Sequence, residues 1–152
     1  MIKYFICDVD GVLTDGGHYY TIEGKVAKKF GSNDKDALRL LSDKGIKVIF
    51  VTSDSTQEGF SISKKRIRDM GFELFRVDSD SRIDWIKSQD FAMKEVCYMG
   101  DGIFDVLIFK EVKLGIAPSN GTTMAKKAAD YVTPSSGGNN AIVDAVYRIL
   151  EL

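Results

Sequence analysis

The sequence predicts an α/β fold: a parallel, doubly wound sheet with a protruding β-hairpin. Three observations predict it. Short apolar runs at Ile2–Cys7, Lys47–Val51 and Val96–Met99 read as buried strands, segments with helical apolar spacing stand between them, and each run ends in a polar or glycine-containing loop. Such alternation, without a linker, internal repeat or low-complexity segment, is the pattern of βαβ units. At 152 residues the chain suits one domain, residues 1–152, with helices on both faces of one sheet.

The first strand runs into Asp8-Val9-Asp10-Gly11-Val12. Two carboxylates at the end of a buried strand repel one another where solvation is partial, and a divalent cation would relieve that repulsion. The turn at Asp10-Gly11 lets the second carboxylate swing back toward the first. On a phosphate ester, one carboxylate can then attack while the other carries protons. Alone, the pair reads equally well as caps of a turn.

Next, His18-Tyr19-Tyr20, a turn at Glu23-Gly24-Lys25 and Val26 to Phe30 form an expected hairpin over about residues 17–30. A lone hairpin is marginal in water, and Tyr19, Tyr20 and Phe30 would need a cover. His18, the only histidine, has no partner nearby and receives no catalytic role. Helical spacing covers Asp34 to Lys44, Thr56 to Met70, Ser81 to Phe91, Ile103 to Glu111 and Asn139 to Leu152. Met70, Trp85, Phe104 and Phe109 are expected in the core.

The second strand ends in Thr52-Ser53-Asp54, where hydroxyls and backbone N–H groups at a strand-to-helix turn can cradle a phosphate. The third is followed by Gly100-Asp101-Gly102-Ile103-Phe104-Asp105, which adds two carboxylates. Hard oxygen ligands from separate strand tips suit Mg²⁺, and open α/β sheets gather their ligands at the carboxyl ends of their strands.

Composition excludes some partners. Acidic residues number 22 and basic ones 21, so the chain lacks the electrostatic footprint of a nucleic-acid or anionic-membrane binder. Cys7 and Cys97 sit in apolar strands and read as buried free thiols rather than a cross-strand disulfide. The sequence enters a strand by Ile2 without a charged leader, and no segment approaches the roughly 18 apolar residues of a membrane span. A soluble cytoplasmic protein is the expectation.

Taken together, these motifs resemble the haloacid dehalogenase superfamily of aspartate-nucleophile phosphatases, which share a Rossmann-like fold: Asp8-Val9-Asp10-Gly11-Val12, then Thr52, then Gly100-Asp101 with Asp105. Asp10 through Gly17, Lys29-Phe30, Asp34 and Gly137 through Ile142 resemble its cap-less branch, which includes 3-deoxy-D-manno-octulosonate 8-phosphate and nonulosonate 9-phosphate phosphatases. The resemblance implies a phosphomonoesterase for a phosphorylated 2-keto-3-deoxy sugar acid, with Asp8 as nucleophile and Asp10 as acid and then base. It implies Thr52, Ser53 and Arg82 at the phosphate and Arg66, within the basic run Lys64 to Arg68, at the substrate. It further implies Mg²⁺ held by Asp8, the main-chain carbonyl of Asp10 and Asp101, with Asp105 orienting the shell, and a homotetramer built through the hairpins.

The chain departs from this branch in four places. No lysine follows Asp78-Ser79-Asp80-Ser81 until Lys87, so Arg82 stands as the replacement for the usual phosphate-binding lysine, a change of reach and shape. Ser53 stands for a glycine and could crowd the phosphate, Gly102 stands for a second aspartate, and Asn140 stands for a glycine at a left-handed turn. The missing lysine supports a second reading, an inactive oligomerisation or regulatory module related to sugar-nucleotide synthetases. A phospho-accepting receiver domain fits less well, because Ala117-Pro118 stands where it needs a lysine.

Overall fold

A computed structural model describes residues 1–152. Six strands form one parallel sheet: β1 Tyr4–Asp8, β4 Lys47–Thr52, β5 Glu73–Arg76, β6 Val96–Met99, β7 Leu114–Ala117 and β8 Tyr131–Val132. Their order is β5-β4-β1-β6-β7-β8, so β1 lies inside the sheet with β4 and β6 on its two sides. β2 Thr14–Thr21 and β3 Gly24–Phe30 form a separate antiparallel pair. The helices are α1 Asp34–Asp43, α2 Gln57–Met70, α3 Arg82–Ser88, α4 Asp105–Phe109, α5 Thr123–Ala128 and α6 Ala141–Leu150.

The strand period of two divides the apolar residues between two cores. Phe5, Cys7, Val48, Phe50, Cys97 and Met99 face one side, where Leu38 and Leu41 of α1, Ile67 of α2 and Ile142 and Val146 of α6 cover them. Ile6, Ile49, Val51, Val96 and Tyr98 face the other, under Ile86 of α3, Ile108 and Phe109 of α4 and Ala125 of α5. A sheet apolar on both faces needs helices on both, which makes the fold doubly wound. Between β1 and β4 stand only a helical turn at Val9–Leu13, the hairpin and α1, and between β4 and β6 only α2, β5, α3 and two single 3₁₀ turns, so neither interval holds a cap domain.

Several elements differ from expectation. The hairpin begins at Thr14 rather than near residue 17, because Thr14 pairs with Phe30 ahead of a register shift. Helix α4 starts at Asp105 and not at Ile103, which leaves Ile103 and Phe104 in the preceding loop, and Phe104 is 48% exposed instead of buried. Trp85 is half-buried, packed 5.4 Å centroid to centroid against Phe75, whereas Met70 and Phe109 are buried as expected. Helix α5 and the two-residue β8 had no periodic signal long enough to be read. Both cysteines are buried and unbonded, and Asn140 takes the expected left-handed conformation at φ 80°. No helix is long and apolar enough to cross a membrane.

The loop before α6 closes over the loop after β1. Gly138 N donates to the Val12 carbonyl at 3.2 Å, while Asn120 donates to the Gly11 carbonyl at 2.9 Å and accepts from Gly137 N at 2.7 Å. A side chain at Gly137 would collide with the Gly11 and Thr14 backbone, which cannot yield as a flexible side chain would. Gly137→Ala is therefore expected to cost about 1–3 kcal/mol of stability, as overpacked sites do, read as a lower urea midpoint with unchanged slope.

Candidate active site

The parallel register sets three strand tips side by side: Asp8 lies opposite Val51 of β4, and Cys7 opposite Met99 of β6. The loops that follow, carrying Asp10, Ser53 and Asp101, therefore leave the sheet at one end, with Thr52 at the tip of β4. Carboxylate oxygens of Asp8, Asp101 and Asp105 lie within 4.8 Å of one another. Gly11 makes this approach possible. It sits at φ 85°, and a Cβ there would strike the Asp101 carboxylate. A cavity of about 210 Å³ opens above the cluster, lined by Asp8, Asp10, Ser53, Ser79, Asp101, Gly102, Ile103, Phe104 and Asp105. A larger hollow of about 780 Å³ lies at the other end of the sheet, around Ile2, Ile46 and Arg148, without converging carboxylates.

The charges here are held under tension. Burial pushes the Asp8 carboxyl well above the usual carboxylate range, Arg82 opposes this, and Asp105 and Asp101 add to it. Burial and Asp105 likewise raise Asp101, while a hydrogen bond with Asp8 opposes. Asp105 is fixed on both oxygens: Tyr98 Oη donates to one at 2.6 Å and Gly102 N to the other at 2.8 Å. Asp8 accepts from Val9 N at 2.9 Å. Oxygen-only donors that repel one another suit a hard divalent cation, which would offset that repulsion.

Arg82, the first residue of α3, is 1% exposed and turns inward beneath the cluster. Its Nη1 donates to Tyr98 Oη at 3.0 Å and lies 3.2 Å from Asp8 and 3.8 Å from Asp105, and its Nη2 donates to the Val77 carbonyl at 3.3 Å. Burial alone would lower its pKa, but Tyr98, Asp8 and Asp105 outweigh that and raise it. The cation expected at this position is thus within ion-pair reach of the expected nucleophile.

Asp10 goes elsewhere. Its carboxylate is absent from the cluster and pairs with Lys28 Nζ of β3 at 2.9 Å, so only its main-chain carbonyl remains a candidate metal donor. Thr52 is buried at the tip of β4, where its hydroxyl accepts from Asp54 N at 3.1 Å, and Ser53 is exposed on the cavity wall. Arg66 does not reach the cavity. Its Nη2 donates to the Gly31 carbonyl at 3.3 Å, beside Asp34. Sequence reasoning missed Lys28, Tyr98, Asp54 and Ser79. Lys28 lies among three hairpin lysines and Tyr98 within a continuous apolar run, so neither had a local mark.

Residues 83–146 match the family described as haloacid dehalogenase-like hydrolase. The chain is 30% identical, with a TM-score of 0.88, to a Legionella pneumophila structure assigned to the haloacid dehalogenase (HAD) superfamily, subfamily III A, covering 99% of this chain and 82% of that one. It belongs to the haloacid dehalogenase superfamily. Among related haloacid dehalogenase proteins, the 3-deoxy-D-manno-octulosonate 8-phosphate phosphatase KdsC of Haemophilus influenzae is 29% identical over 154 residues, 99% of this chain and 83% of that protein. The 3-deoxy-D-manno-octulosonate 8-phosphate phosphatase of Moraxella catarrhalis, solved with a magnesium ion, a phosphate ion and KDO, aligns at TM-score 0.87 and 28% identity over 99% of this chain and 86% of that one. The expected haloacid dehalogenase fold without a cap is thereby shown.

Asp34, at the start of α1, is 1% exposed with neither oxygen hydrogen-bonded. Burial raises its pKa from 3.8 to about 6, against the attraction of Arg66. A carboxyl titrating higher folded than unfolded removes stability as pH rises from about 4 through 6. Asp34→Asn should then be more stable than the parent at pH 7.5, by at most about 3 kcal/mol, and the gain should vanish near pH 4, as read from urea unfolding at both pH values.

Proposed function

We propose that this protein is a Mg²⁺-dependent phosphomonoesterase that works through an aspartyl-phosphate and hydrolyses a phosphorylated 2-keto-3-deoxy sugar acid, with 3-deoxy-D-manno-octulosonate 8-phosphate the first substrate to test. The observation that carries it is the convergence of Asp8, Asp101 and Asp105 within 4.8 Å, beside buried Arg82 and with Asp10 on the same cavity. Two relatives bear that phosphatase name, and the Moraxella catarrhalis protein holds magnesium, phosphate and KDO.

In this reading a carboxylate oxygen of Asp8 attacks phosphorus, the bond to the sugar oxygen breaks, and Asp10 gives its proton to that leaving oxygen. Asp10 then takes a proton from the water that attacks the aspartyl-phosphate, which frees inorganic phosphate and restores Asp8. Arg82 balances negative charge next to the nucleophile, Ser53 on the cavity wall would meet the transferred group, and Thr52 at the strand tip would support it from beneath. Asp8, Asp101 and the Asp10 carbonyl would hold Mg²⁺, with Asp105 orienting the shell through its bonds to Tyr98 and Gly102. The ion would neutralise charge on the phosphoryl oxygens.

The hairpin exposes Tyr19, Tyr20, Ile22 and Val26, and we assign this apolar surface to self-association, with a tetramer as the expected state. The buried free thiols Cys7 and Cys97 favour a reducing compartment such as the cytoplasm. An inactive module would be favoured by a site lacking its cation, and the 3.2 Å approach of Arg82 to Asp8 speaks against it.

Phosphate release from 3-deoxy-D-manno-octulosonate 8-phosphate is expected with Mg²⁺, to be lost with EDTA and regained when Mg²⁺ is returned. Asp8→Asn should abolish turnover with an unchanged circular dichroism spectrum, whereas retained Mg²⁺-dependent hydrolysis would remove Asp8 as the nucleophile. Inactivity of the parent protein across phosphorylated sugar acids would favour the module.

A further inference from the structure

Lys28 has a side chain with no exposure, although it comes from a hairpin whose other face is open to solvent. Its ammonium donates to Asp54 Oδ2 and to Ser63 Oγ, each at 2.9 Å, and lies 2.9 Å from Asp10 Oδ1. The ammonium thus meets three oxygens, Asp54 and Ser63 through hydrogen bonds and Asp10 as an ion pair, brought from the loop after β1, the loop after β4 and helix α2. Asp54 is fixed without help from Lys28: Lys25 donates to it at 2.9 Å, Thr56 N at 3.0 Å and Thr56 Oγ1 at 2.6 Å. By contrast, Asp10 has a side chain 39% exposed and no other cation within ion-pair reach.

We propose that Lys28 is a positioning residue for the reaction: anchored on Asp54 and Ser63, it holds the Asp10 carboxylate in the orientation needed for proton transfer, which makes the hairpin part of the catalytic apparatus. The proposal rests on the reading of Asp10 as the proton carrier. A buried ammonium is retained only where carboxylates and hydrogen bonds replace its water, and Asp54 with Ser63 would already satisfy much of that need. Its third contact goes to Asp10, a cavity carboxylate that no other side chain or backbone N–H reaches. Proton transfer is sensitive to such placement, since a shift of about 1 Å can cost roughly 10²-fold in rate.

The competing account makes Lys28 a counter-charge for Asp54 and nothing more, and a double variant separates the two. Steady-state kinetics at saturating Mg²⁺ would compare the parent, Lys28→Met, and Lys28→Met combined with Asp54→Asn. Positioning predicts that kcat falls roughly 10- to 100-fold in Lys28→Met, with KM and the half-saturating Mg²⁺ concentration changed by less than about 3-fold. It also predicts that the double variant regains thermal stability but not kcat. A double variant with the parent's kcat, or Lys28→Met with undiminished kcat, would overturn it. Absence of turnover in the parent itself would instead sink the phosphatase reading. The clamp is then read from hydrogen exchange of residues 9–13, where faster exchange in Lys28→Met supports it and unchanged exchange overturns it.

Discussion

Two aspartates only two positions apart are drawn to opposite sides by two buried cations, and the rest of the site follows from this division. Arg82 takes Asp8 toward Tyr98 and Asp105, and Lys28 takes Asp10 toward Asp54 and Ser63. Left to themselves, carboxylates so near in sequence and partly buried would share protons or turn to solvent. The break in the helical turn at Asp10 and Gly11 gives the backbone the freedom to serve both cations. In the proposed reaction this separation would serve a nucleophile and a proton carrier, since one has to approach phosphorus while the other faces the departing oxygen.

The sheet supplies the platform. Because β1 is flanked by β4 and β6 in parallel register, the tips of β4 and β6 are each held one ladder spacing, about 4.8 Å, from the tip of β1. The same strands keep Tyr98 on the face opposite Cys97 and Met99, which puts its hydroxyl under the carboxylates and beside α3. Arginine at position 82 is accommodated there because its fork has somewhere to bind: one nitrogen reaches Tyr98 and the other the Val77 carbonyl. A lysine has no such second arm.

What could be read from the chain divides along physical lines. The three strands and the loops bearing Asp8, Thr52 and Asp101 were legible because apolar runs with abrupt polar ends leave a local mark. Arg82 was legible as a replacement only through the spacing of known motifs. Lys28 and Asp54, 26 residues apart, were not, since nothing within either segment says that the hairpin folds over α2. Phe104 was misjudged because hydrophobicity was taken to mean burial, whereas the helix begins one residue later and leaves the ring at the cavity mouth. The short α5 and β8 escaped because their six and two residues carry too little periodicity to be distinguished from a loop.

The clasp that Asn120 makes with Gly11 and Gly137 bears on biosynthesis. The loop that follows Asp8 is made long before its partners, for Asn120, whose side chain fastens it to Gly137, comes more than a hundred residues later. While a ribosome is still making the last part of the chain, the strand that carries Asp8 can pair but its loop cannot be locked. The closing of this loop is thus deferred until Asn120 and Gly137 have emerged, and a nascent chain lacking them would carry the aspartates without that arrangement.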